Sequence, residues 1–554
     1  MTAAEEDGYD LIIGLIDAAG LGSTDWRPEA PSAKDRGASH LEAWEKVRQC
    51  AKLLQNDTDN GRRLIIWFGD RIRFIRDIGW ASWTGTHWEI VGGIEQVKML
   101  AQKVSTYIAC ERHCLRPGKA EYAILTGDDH KAKAAVVSAL KKRRAARRAF
   151  AVSSGNEARI GNLIRAAEPH MTIGVEMLDR DPMAFNVQNG TLIFSRAPDP
   201  DCPDPDVVRL VGSVKLIPHD PAMLISKLAP VIYDEQASWP FWDRFINRFQ
   251  PVEAKRSFLQ TFHGYGLLGL MGAQKLVYNY GEGANGKSTF IEAICRLMGS
   301  YARTLNAESV TGTQQRNAGQ ATPDLAQLPG ARLVRVSELP RGEKLKETLV
   351  KSLTGGEPIM ARHNYGNYFE FRPNFKPSMS GNDMPSIDGV DHGIWRRIAI
   401  VNWTVTLTPD EMRDMEEVLA EFSQENAGIL NWLIAGALRY LSEGLTVPVE
   451  VQKATSDLKA DSDPVQLFID ACVTRTDSPS NTETARNLYL GYESWCIANA
   501  RKPWSEKLFA TVMGKKGFNK IEARVRVYTN VILHDVPERP ANSHDPPRSP
   551  SGFV

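Results

Sequence analysis

The sequence predicts an α/β protein of several domains, and three observations carry this prediction. The 554 residues exceed what one hydrophobic core usually holds, so roughly two to four domains are expected. Strand and helix signals alternate from about residue 273 to about residue 405 around a glycine-rich loop, as in an α/β core. The flanking regions combine helical patterns with hairpin signals, which predicts additional smaller domains on both sides.

The composition argues against a membrane or disulfide-rich protein. No apolar run approaches the roughly 18 residues of a membrane span, and "MTAAEEDGYD" is unlike a signal peptide, so no membrane partner is expected. Seven cysteines, an odd number, fit a reducing cytoplasm. The 67 basic and 67 acidic residues cancel, so a nucleic-acid binder must concentrate its positive charge locally.

The N-terminal half is predicted to be helical with a small sheet. A polar helical extension covers residues 1–60, and "RRLIIWFGDRIRFI" and "GWASWTGTHWEI" alternate apolar and polar residues, which predicts the sheet. Its Trp80, Trp83 and Trp88 suit base stacking or an aromatic mini-core, and the mini-core is favoured because tryptophan is usually buried. A helical pattern follows to about residue 170, and "FNVQNGTLIF" predicts strand–turn–strand.

One stretch of that helical region is strongly basic. From Lys141 to Arg148, six of eight residues are Lys or Arg and none is acidic. At helical spacing Arg143 and Arg147 share a face, as do Arg144 and Arg148. Two interpretations stay open: a cationic stripe for DNA phosphates, or a solvated helix face.

The coarse pattern divides the chain into six parts. These are the extension at 1–60, a mixed domain at 61–221, a helical segment at 222–272, an α/β core at 273–445, a compact helix-then-strand unit at 455–535 and a tail at 536–554. The tail, "PERPANSHDPPRSPSGFV", is predicted to be disordered from its proline-rich, polar composition.

The stretch "GEGANGKSTF" is a candidate phosphate-binding loop. It matches G-x-x-x-x-G-K-[ST] and lies between a predicted strand and a predicted helix. Backbone N–H groups of such a loop point at phosphates, a lysine adds a point charge and a hydroxyl can bind Mg²⁺. The candidate nucleotide-binding residues are Gly281, Glu282, Gly283, Ala284, Asn285, Gly286, Lys287, Ser288 and Thr289.

Hydrolysis of a bound nucleotide also needs an acid at a second strand end. "ARLVRVSELP" predicts a strand that ends at Glu338, whose carboxylate could orient or deprotonate water and support Mg²⁺. Further on, "FKPSMSGNDMP" contains Asn382, which suits contact with the terminal phosphate or its water. The alternatives are a solvent-facing glutamate before a turn and a turn asparagine beside Gly381.

Two adjacent arginines precede a later apolar strand. In "GIWRRIAIVNW", Arg396 and Arg397 could reach a nucleotide bound by a neighbouring subunit and stabilise transition-state charge. Ordinary ion pairs with nearby carboxylates are the alternative, and the spacing alone does not choose between them.

The order of these parts resembles that of superfamily 3 helicases, in particular the C-terminal half of phage- and plasmid-type primase-helicases. The blocks "GEGANGKSTF", "LPGARLVRVSE", "KSLTGGEPIMAR", "SGNDMP" and "GIWRRI" follow one another in the expected order. "LDRDPMAFNVQNGTLIF" resembles part of the helicase-associated N-terminal domain shared with poxvirus primase-helicases, and "SDPVQLFIDACV" begins a stretch that resembles a C-terminal winged helix. The resemblance covers about residues 60–535.

The resemblance implies an AAA+-like P-loop NTPase core at 273–445, an oligomerisation collar at 222–272 and a winged helix at 455–535. It implies a homo-hexameric ring that hydrolyses ATP with Mg²⁺ and moves 3′ to 5′ on single-stranded or forked DNA in phage, prophage or plasmid replication. The implied location is the bacterial host cytoplasm, with a separate primase or other replication proteins as candidate partners.

The same resemblance assigns roles to individual residues. It gives Walker A roles to Lys287 and Ser288, the Walker B glutamate to Glu338, and Mg²⁺ binding to Ser288 and Glu338. Asn382 matches the sensor asparagine, and Arg397 matches the arginine that acts in trans, with Arg396 as runner-up.

A DNA-gripping hairpin is expected between Glu338 and Asn382. "IMARHNYGNYFEF" independently predicts two strands around a turn, with a charge, a polar donor and an aromatic ring near the tip. Lys351 matches the lysine of the family's extra motif. The candidate DNA-binding residues are Lys351, Arg362, His363, Asn364 and Tyr365.

Two alternatives to a dedicated helicase stay open. A bifunctional primase-helicase would need a polymerase domain of about 150 residues, and only about 60 precede the helicase-associated region. A non-motor initiator or assembly ring would use ATP only to gate DNA binding.

Overall fold

The computed structural model of the chain describes residues 33–200, 202, 209–312, 321–336, 338–339, 343–364, 366–387, 392–522 and 525–537. The candidate DNA-binding residue Tyr365, the first 32 residues of the predicted extension and all but the first two residues of the predicted tail lie outside them. In the described part of the chain, no helix is both long and apolar enough to cross a membrane.

The first part of the chain packs helices around a small sheet. The helices are α1 (Ala33–Ala51), α2 (Asp57–Phe68), α3 (Gly93–Glu111), α4 (Lys119–Thr126), α5 (His130–Ser154) and α6 (Glu157–Met171). The sheet has the order β3-β2-β1-β4, in which β4 runs parallel to β1; its strands are β1 (Ile72–Ile75), β2 (Gly79–Trp83), β3 (Trp88–Glu89) and β4 (Thr172–Ile173).

The strand-like pattern at residues 62–68 was misleading, because that segment is the second half of α2. The Asn56 side chain caps the helix by accepting from the Asp59 N–H at 2.8 Å. Asn60, Leu64 and Trp67 then fall on one buried face at helical spacing. The predicted burial is confirmed for Trp80 and Trp88, but the three tryptophans form no single mini-core: Trp80 belongs to the core of the helices, whereas Trp88 packs with Trp83 in a separate cluster.

A second sheet and two helices link this part to the rest. The predicted strand–turn–strand is confirmed, and the antiparallel strands are β5 (Ala184–Val187), β6 (Gly190–Pro198) and β7 (Leu210–Ile217). Residues 222–272 were predicted to be helical, and α7 (Pro240–Phe249) and α8 (Glu253–Tyr265) lie there, but residues 224–239 form no helix.

A parallel five-stranded sheet lies at the centre of the chain, in the order β14-β8-β13-β10-β9. Its strands are β8 (Leu276–Tyr280), β9 (Ala302–Leu305), β10 (Leu333–Val336), β13 (Lys376–Gly381) and β14 (Ile398–Asn402), and the predicted hairpin is formed by β11 (Ile359–Arg362) and β12 (Tyr368–Phe371). The helices of this region are α9 (Lys287–Met298), α10 (Ala307–Val310), α11 (Pro323–Ala326), α12 (Glu347–Gly355) and α13 (His392–Trp395).

The last part is largely helical. It contains α14 (Met415–Gln424), α15 (Asn426–Glu443), α16 (Val449–Asp461), α17 (Pro464–Cys472), β15 (Val473–Arg475), β16 (Thr482–Thr484), α18 (Ala485–Ala498), α19 (Glu506–Lys515), β17 (Lys520–Glu522), β18 (Arg526–Thr529) and β19 (Val531–Leu533). From Val465 onward these elements enclose their own core, which includes Phe468, Tyr492 and Phe509. The predicted mixed α/β multidomain fold with a parallel sheet is confirmed.

One large core joins segments that the sequence divided. Phe185 of β5, Trp242 of α7, Phe290 of α9 and Leu433 of α15 belong to the same buried cluster. The packing therefore continues across residues 221 and 272, while the division into domains stays a prediction.

Candidate functional site

The glycine-rich loop joins the carboxyl end of β8 to α9, where ligands of open α/β sheets usually bind. Gly286 has φ of 77°, and a Cβ there would lie 2.9 Å from the Phe249 ring. A Cβ at Gly281 would lie 2.4 Å from the Trp403 carbonyl oxygen. Glycine is required at both positions, and the loop can fold back onto the start of α9.

Asn285 stabilises this loop through side-chain hydrogen bonds. Its side chain is buried, and its Nδ2 donates to the carbonyl oxygens of Glu282 at 2.8 Å and Trp403 at 3.3 Å. The Ala284 carbonyl accepts from the Leu407 N–H at 2.9 Å. These bonds fix the loop, so that its remaining N–H groups and the N-terminus of α9 can serve an anion.

Lys287, the first residue of α9, is only 4% exposed. Its Nζ donates to the Gly281 carbonyl oxygen and, at 3.1 Å, to the Asn382 side-chain oxygen. Burial lowers the pKa of Lys287, and the negative charge of Glu338 partly opposes that shift. The ammonium is thus held in the cleft by neutral oxygens.

A cleft of about 430 Å³ opens beside the loop. The sheet register explains its walls, because Gly381 pairs with Tyr280 and Met379 with Val336, which places the ends of β8, β10 and β13 at one edge. The predicted residues that the structure brings together there are Gly283, Ala284, Asn285, Gly286, Lys287, Ser288, Thr289, Glu338 and Asn382. Glu338 is exposed, two residues beyond the end of β10.

Arg335 is a cleft residue that sequence reasoning missed. Its side chain pairs with Glu292 of α9, and its Nε donates to the Thr304 hydroxyl at 3.2 Å. The available signal was a charged residue inside the apolar strand "LVRV". Because Glu292 also lines the cleft, this ion pair places a guanidinium there without adding net charge.

An apolar pocket of about 420 Å³ adjoins the loop and was also missed. It shares Ala284, Gly286, Thr289 and Met415 with the cleft. Its other walls come from α7 and from the segment after β14. Their apolar residues are Phe241, Phe245, Phe249, Leu407, Met412 and Val418, and their charged residues are Arg244, Arg248, Glu411 and Arg413. No local sequence pattern connects these distant segments.

Arg396 and Arg397 lie at the amino ends of the parallel strands, opposite to the cleft. The Arg397 carbonyl accepts from the N–H of Leu276, the first residue of β8, at 2.7 Å. The loop begins only after the last residue of β8, about 16 Å further along the strand. Arg396 is exposed, and its guanidinium donates to the Gln274 side chain at 3.0 Å. Neither arginine therefore reaches the cleft of its own chain.

The hairpin of β11 and β12 also lies away from the cleft, because it leads into the amino end of β13. The Arg362 guanidinium sits 4.9 Å from the centre of the Tyr368 ring, and His363 stacks on Phe369. His363 and the neighbouring Asn364 are exposed. Lys351, on α12, is 3.8 Å from the Glu347 carboxylate.

Two family models match parts of the chain. Residues 61–251 match the family model "D5 N terminal like", and residues 279–397 match "Family of unknown function (DUF5906)". The chain is 24% identical over 341 residues to "Putative helicase L207/L206" of Acanthamoeba polyphaga mimivirus, which covers 58% of this chain and 34% of that protein. It is 33% identical over 147 residues to "Primase D5" of fowlpox virus, which covers 25% of this chain and 18% of that protein.

"Putative helicase 022R" of Frog virus 3 is 25% identical over 259 residues, 43% of this chain and 26% of that protein. The chain thus spans about a third or less of the length of these relatives. Among solved structures, the apo C-terminal region of NrS-1 aligns with 59% of this chain and 95% of its own length at 10% identity and a TM-score of 0.36, a likeness too weak to show a shared fold. The matches to the D5 model and to the viral relatives support a primase-helicase-like family of superfamily 3 helicases.

Proposed function

We propose that this protein is an ATP-dependent, ring-shaped DNA helicase that works in phage, prophage or plasmid replication. The observation that carries the proposal is the position of the Lys287 ammonium, held between the Gly281 carbonyl and Asn382 at the carboxyl edge of a parallel sheet. A phosphate entering the cleft would offer that ammonium a charged partner in place of neutral oxygens. The viral relatives named as helicases support this choice.

In the proposed ATP site, each cleft residue has a separate role. The N–H groups of the loop and of α9 bind phosphate oxygens, and Lys287 neutralises their charge. The hydroxyl of Ser288 and the carboxylate of Glu338 are oxygen donors of the kind that Mg²⁺ prefers, so these two residues would hold it. Bound there, Mg²⁺ would offset phosphate charge, while Glu338 orients the attacking water and Asn382 positions the terminal phosphate.

The apolar pocket beside the loop supports a nucleotide over a simple phosphate ester. It begins at Gly286 and Thr289, and its aromatic wall includes Phe241 and Phe245. A purine base fits between apolar side chains, and a pocket continuous with the phosphate cleft is where the base of a bound nucleotide would lie.

The position of the arginine pair supports a ring. A residue that cannot reach its own cleft can still complete the cleft of a neighbour, and Arg397 would then stabilise transition-state charge in trans. In the proposed hexamer each ATP lies between two subunits. The hairpin, with Arg362, His363 and Asn364, would face the channel together with Lys351 and pull one DNA strand, 3′ to 5′, as ATP is hydrolysed.

The test is fork unwinding together with ATP hydrolysis, with and without single-stranded DNA, for the wild type and for Lys287→Ala. We expect the wild type to unwind the fork and to hydrolyse ATP faster on DNA, and the variant to do neither. A wild type that binds DNA but shows no stimulated hydrolysis and no unwinding would refute the helicase and favour the non-motor ring.

The relative named "Primase D5" keeps primer synthesis as a second candidate function. The same protein preparation, given a single-stranded template and ribonucleotides, tests it directly. Template-dependent oligonucleotides would establish the bifunctional enzyme, and their absence beside active unwinding would leave the dedicated helicase.

A further inference from the structure

The N-terminal part of this neutral chain carries a concentrated positive charge. Between Glu111 and Arg148 there are eleven Lys or Arg residues and four Asp or Glu residues. Most of these cations lie on α5, a helix of 25 residues whose sequence contains no acid.

Helix α5 is oriented by one of its arginines. Arg147 is buried and pairs with Glu111, which also accepts from Arg63 Nε at 2.7 Å. The predicted stripe through Arg143 and Arg147 therefore does not exist, because Arg147 points inward and Arg143 pairs with Glu121 at 2.6 Å. The second predicted pair, Arg144 and Arg148, stays exposed.

The outward set is Lys141, Arg144 and Arg148. Their i, i+3, i+7 spacing places them on one face of α5, over about 10 Å of helix. All three are exposed, and within the described part of the chain neither Lys141 nor Arg148 forms an ion pair. Their charges are available to a partner.

A second segment brings further cations to this face. The Arg144 guanidinium donates to the Leu115 carbonyl at 3.2 Å, which holds the turn at Arg112–Cys114 against α5. Burial lowers the pKa of His113, and the nearby charges of Arg112 and Arg144 lower it further. Positive charge from two separate segments thus converges on one surface, which we call the α5 basic face (Arg112, Lys141, Arg144 and Arg148).

We propose that the α5 basic face binds the phosphate backbone of DNA, as a second nucleic-acid site separate from the hairpin. Converging cations, two of them without an ion pair among the described residues, on a protein of zero net charge are the electrostatic footprint of a polyanion site. The inference concerns the D5-like part of the chain and does not require the proposed motor. A protein that hydrolyses no ATP would still bind DNA here.

The experiment measures DNA binding without nucleotide from 50 to 300 mM salt, on duplex and on single-stranded oligonucleotides of equal length. The variant is Lys141→Ala/Arg148→Ala, which spares the Arg144 contact. Its control, Lys453→Ala/Lys459→Ala, removes two exposed lysines from α16. For the α5 variant we expect roughly tenfold weaker binding and a salt dependence shallower by about 1 to 2 in log–log slope, on one or both forms of DNA.

The oligonucleotide whose binding is weakened by the substitutions shows whether the α5 basic face binds duplex or single-stranded DNA. Unchanged affinity and slope on both forms, or an equal loss in the control, would overturn the proposal. Lys141→Glu/Arg148→Glu serves as a second variant, in which a larger loss is expected. Thermal unfolding of each variant separates lost binding from lost folding, and a failure of the helicase itself would show only in ATP hydrolysis and unwinding.

Discussion

The ammonium nitrogen of Lys287 lies 3.1 Å from the side-chain oxygen of Asn382. The two residues follow adjacent strands, β8 and β13, so this bond joins the loop to the neighbouring strand end across the floor of the cleft. A phosphate bound in the loop would compete for the same ammonium. We therefore expect a bound phosphate to weaken the hydrogen bond between Lys287 and Asn382.

Replacement of Asn382 by alanine should impair hydrolysis more than binding. Lys287 and the loop N–H groups remain, so the Kd for ATP should change only a few-fold. The kcat of DNA-stimulated hydrolysis should fall about 10²-fold, as when one transition-state hydrogen bond is lost. Steady-state hydrolysis and equilibrium binding of a fluorescent nucleotide measure the two effects. Asn499→Ala, at an exposed asparagine after α18, is the control, and an unchanged kcat in Asn382→Ala would contradict the assigned role.

Arg397→Ala should abolish hydrolysis without weakening assembly. An arginine that acts in trans contributes about 10³- to 10⁵-fold to the rate. Arg397 lies at the amino ends of the strands, away from the loop of its own chain, so the cleft that it completes would belong to the next subunit. Mixtures of Arg397→Ala and Lys287→Ala should therefore recover activity. In a mixed ring, the intact loop of one subunit meets the intact arginine of the next.

The mixing experiment needs two controls. Each variant alone must be inactive, and light scattering must show that the variants assemble together. Arg396→Ala should lose less activity, because Arg396 bonds Gln274 on its own chain. Mixed assemblies that stay inactive at every ratio would show that Arg397 has no role in trans.

The local elements around the cleft were predictable, whereas their relative positions were not. The loop at Gly281–Ser288 and the strand before Glu338 carry their signals within a few residues, in glycine spacing and in apolar runs. The positions of Arg397 and Leu276 relative to each other depend on the register of β14 against β8. That register is set by packing between segments more than a hundred residues apart, which no local pattern reports.

Packing between distant segments also explains where the predictions from the sequence failed. Residues 62–68 alternate well enough to suggest a strand, but the Asn56 cap and burial of one helical face decide in favour of α2. The basic run predicted the helix and the exposed face of Arg144 and Arg148, but the predicted face of Arg143 and Arg147 is wrong, because Arg147 turns inward to its distant partner Glu111. The pocket beside Gly286 was missed because its walls come from separate segments: α7 supplies the aromatic residues, and the segment after β14 supplies Leu407.

Glu111→Gln should strongly destabilise the N-terminal part. The carboxylate is fully buried and satisfies two buried guanidinium groups, those of Arg63 and Arg147. Its loss leaves two uncompensated cations, and a cost of about 3 to 5 kcal/mol is expected in denaturant unfolding. Glu121→Gln removes a partly exposed pair with Arg143 and should cost at most about 1 kcal/mol. Equal effects of the two substitutions would contradict the structural role of the buried triad.

Acid should destabilise the protein through His263. This residue of α8 is fully buried, donates from Nδ1 to the Leu259 carbonyl at 2.8 Å and packs edge-on against Phe290. Burial lowers its pKa from 6.5 to about 4. Between those values the unfolded chain binds a proton that the folded chain does not, so stability is lost as the pH falls from 6.5 towards 4.

The expected loss over that interval is about 3 kcal/mol from this one side chain. His263→Leu and His263→Phe both remove the titrating group but change the packing differently. Each variant should therefore show its own stability at pH 7 and a common, flatter dependence of unfolding free energy on pH below 6.5. If both variants lose stability with acid as steeply as the wild type, the buried neutral histidine is not a source of the acid sensitivity, and other groups must titrate there.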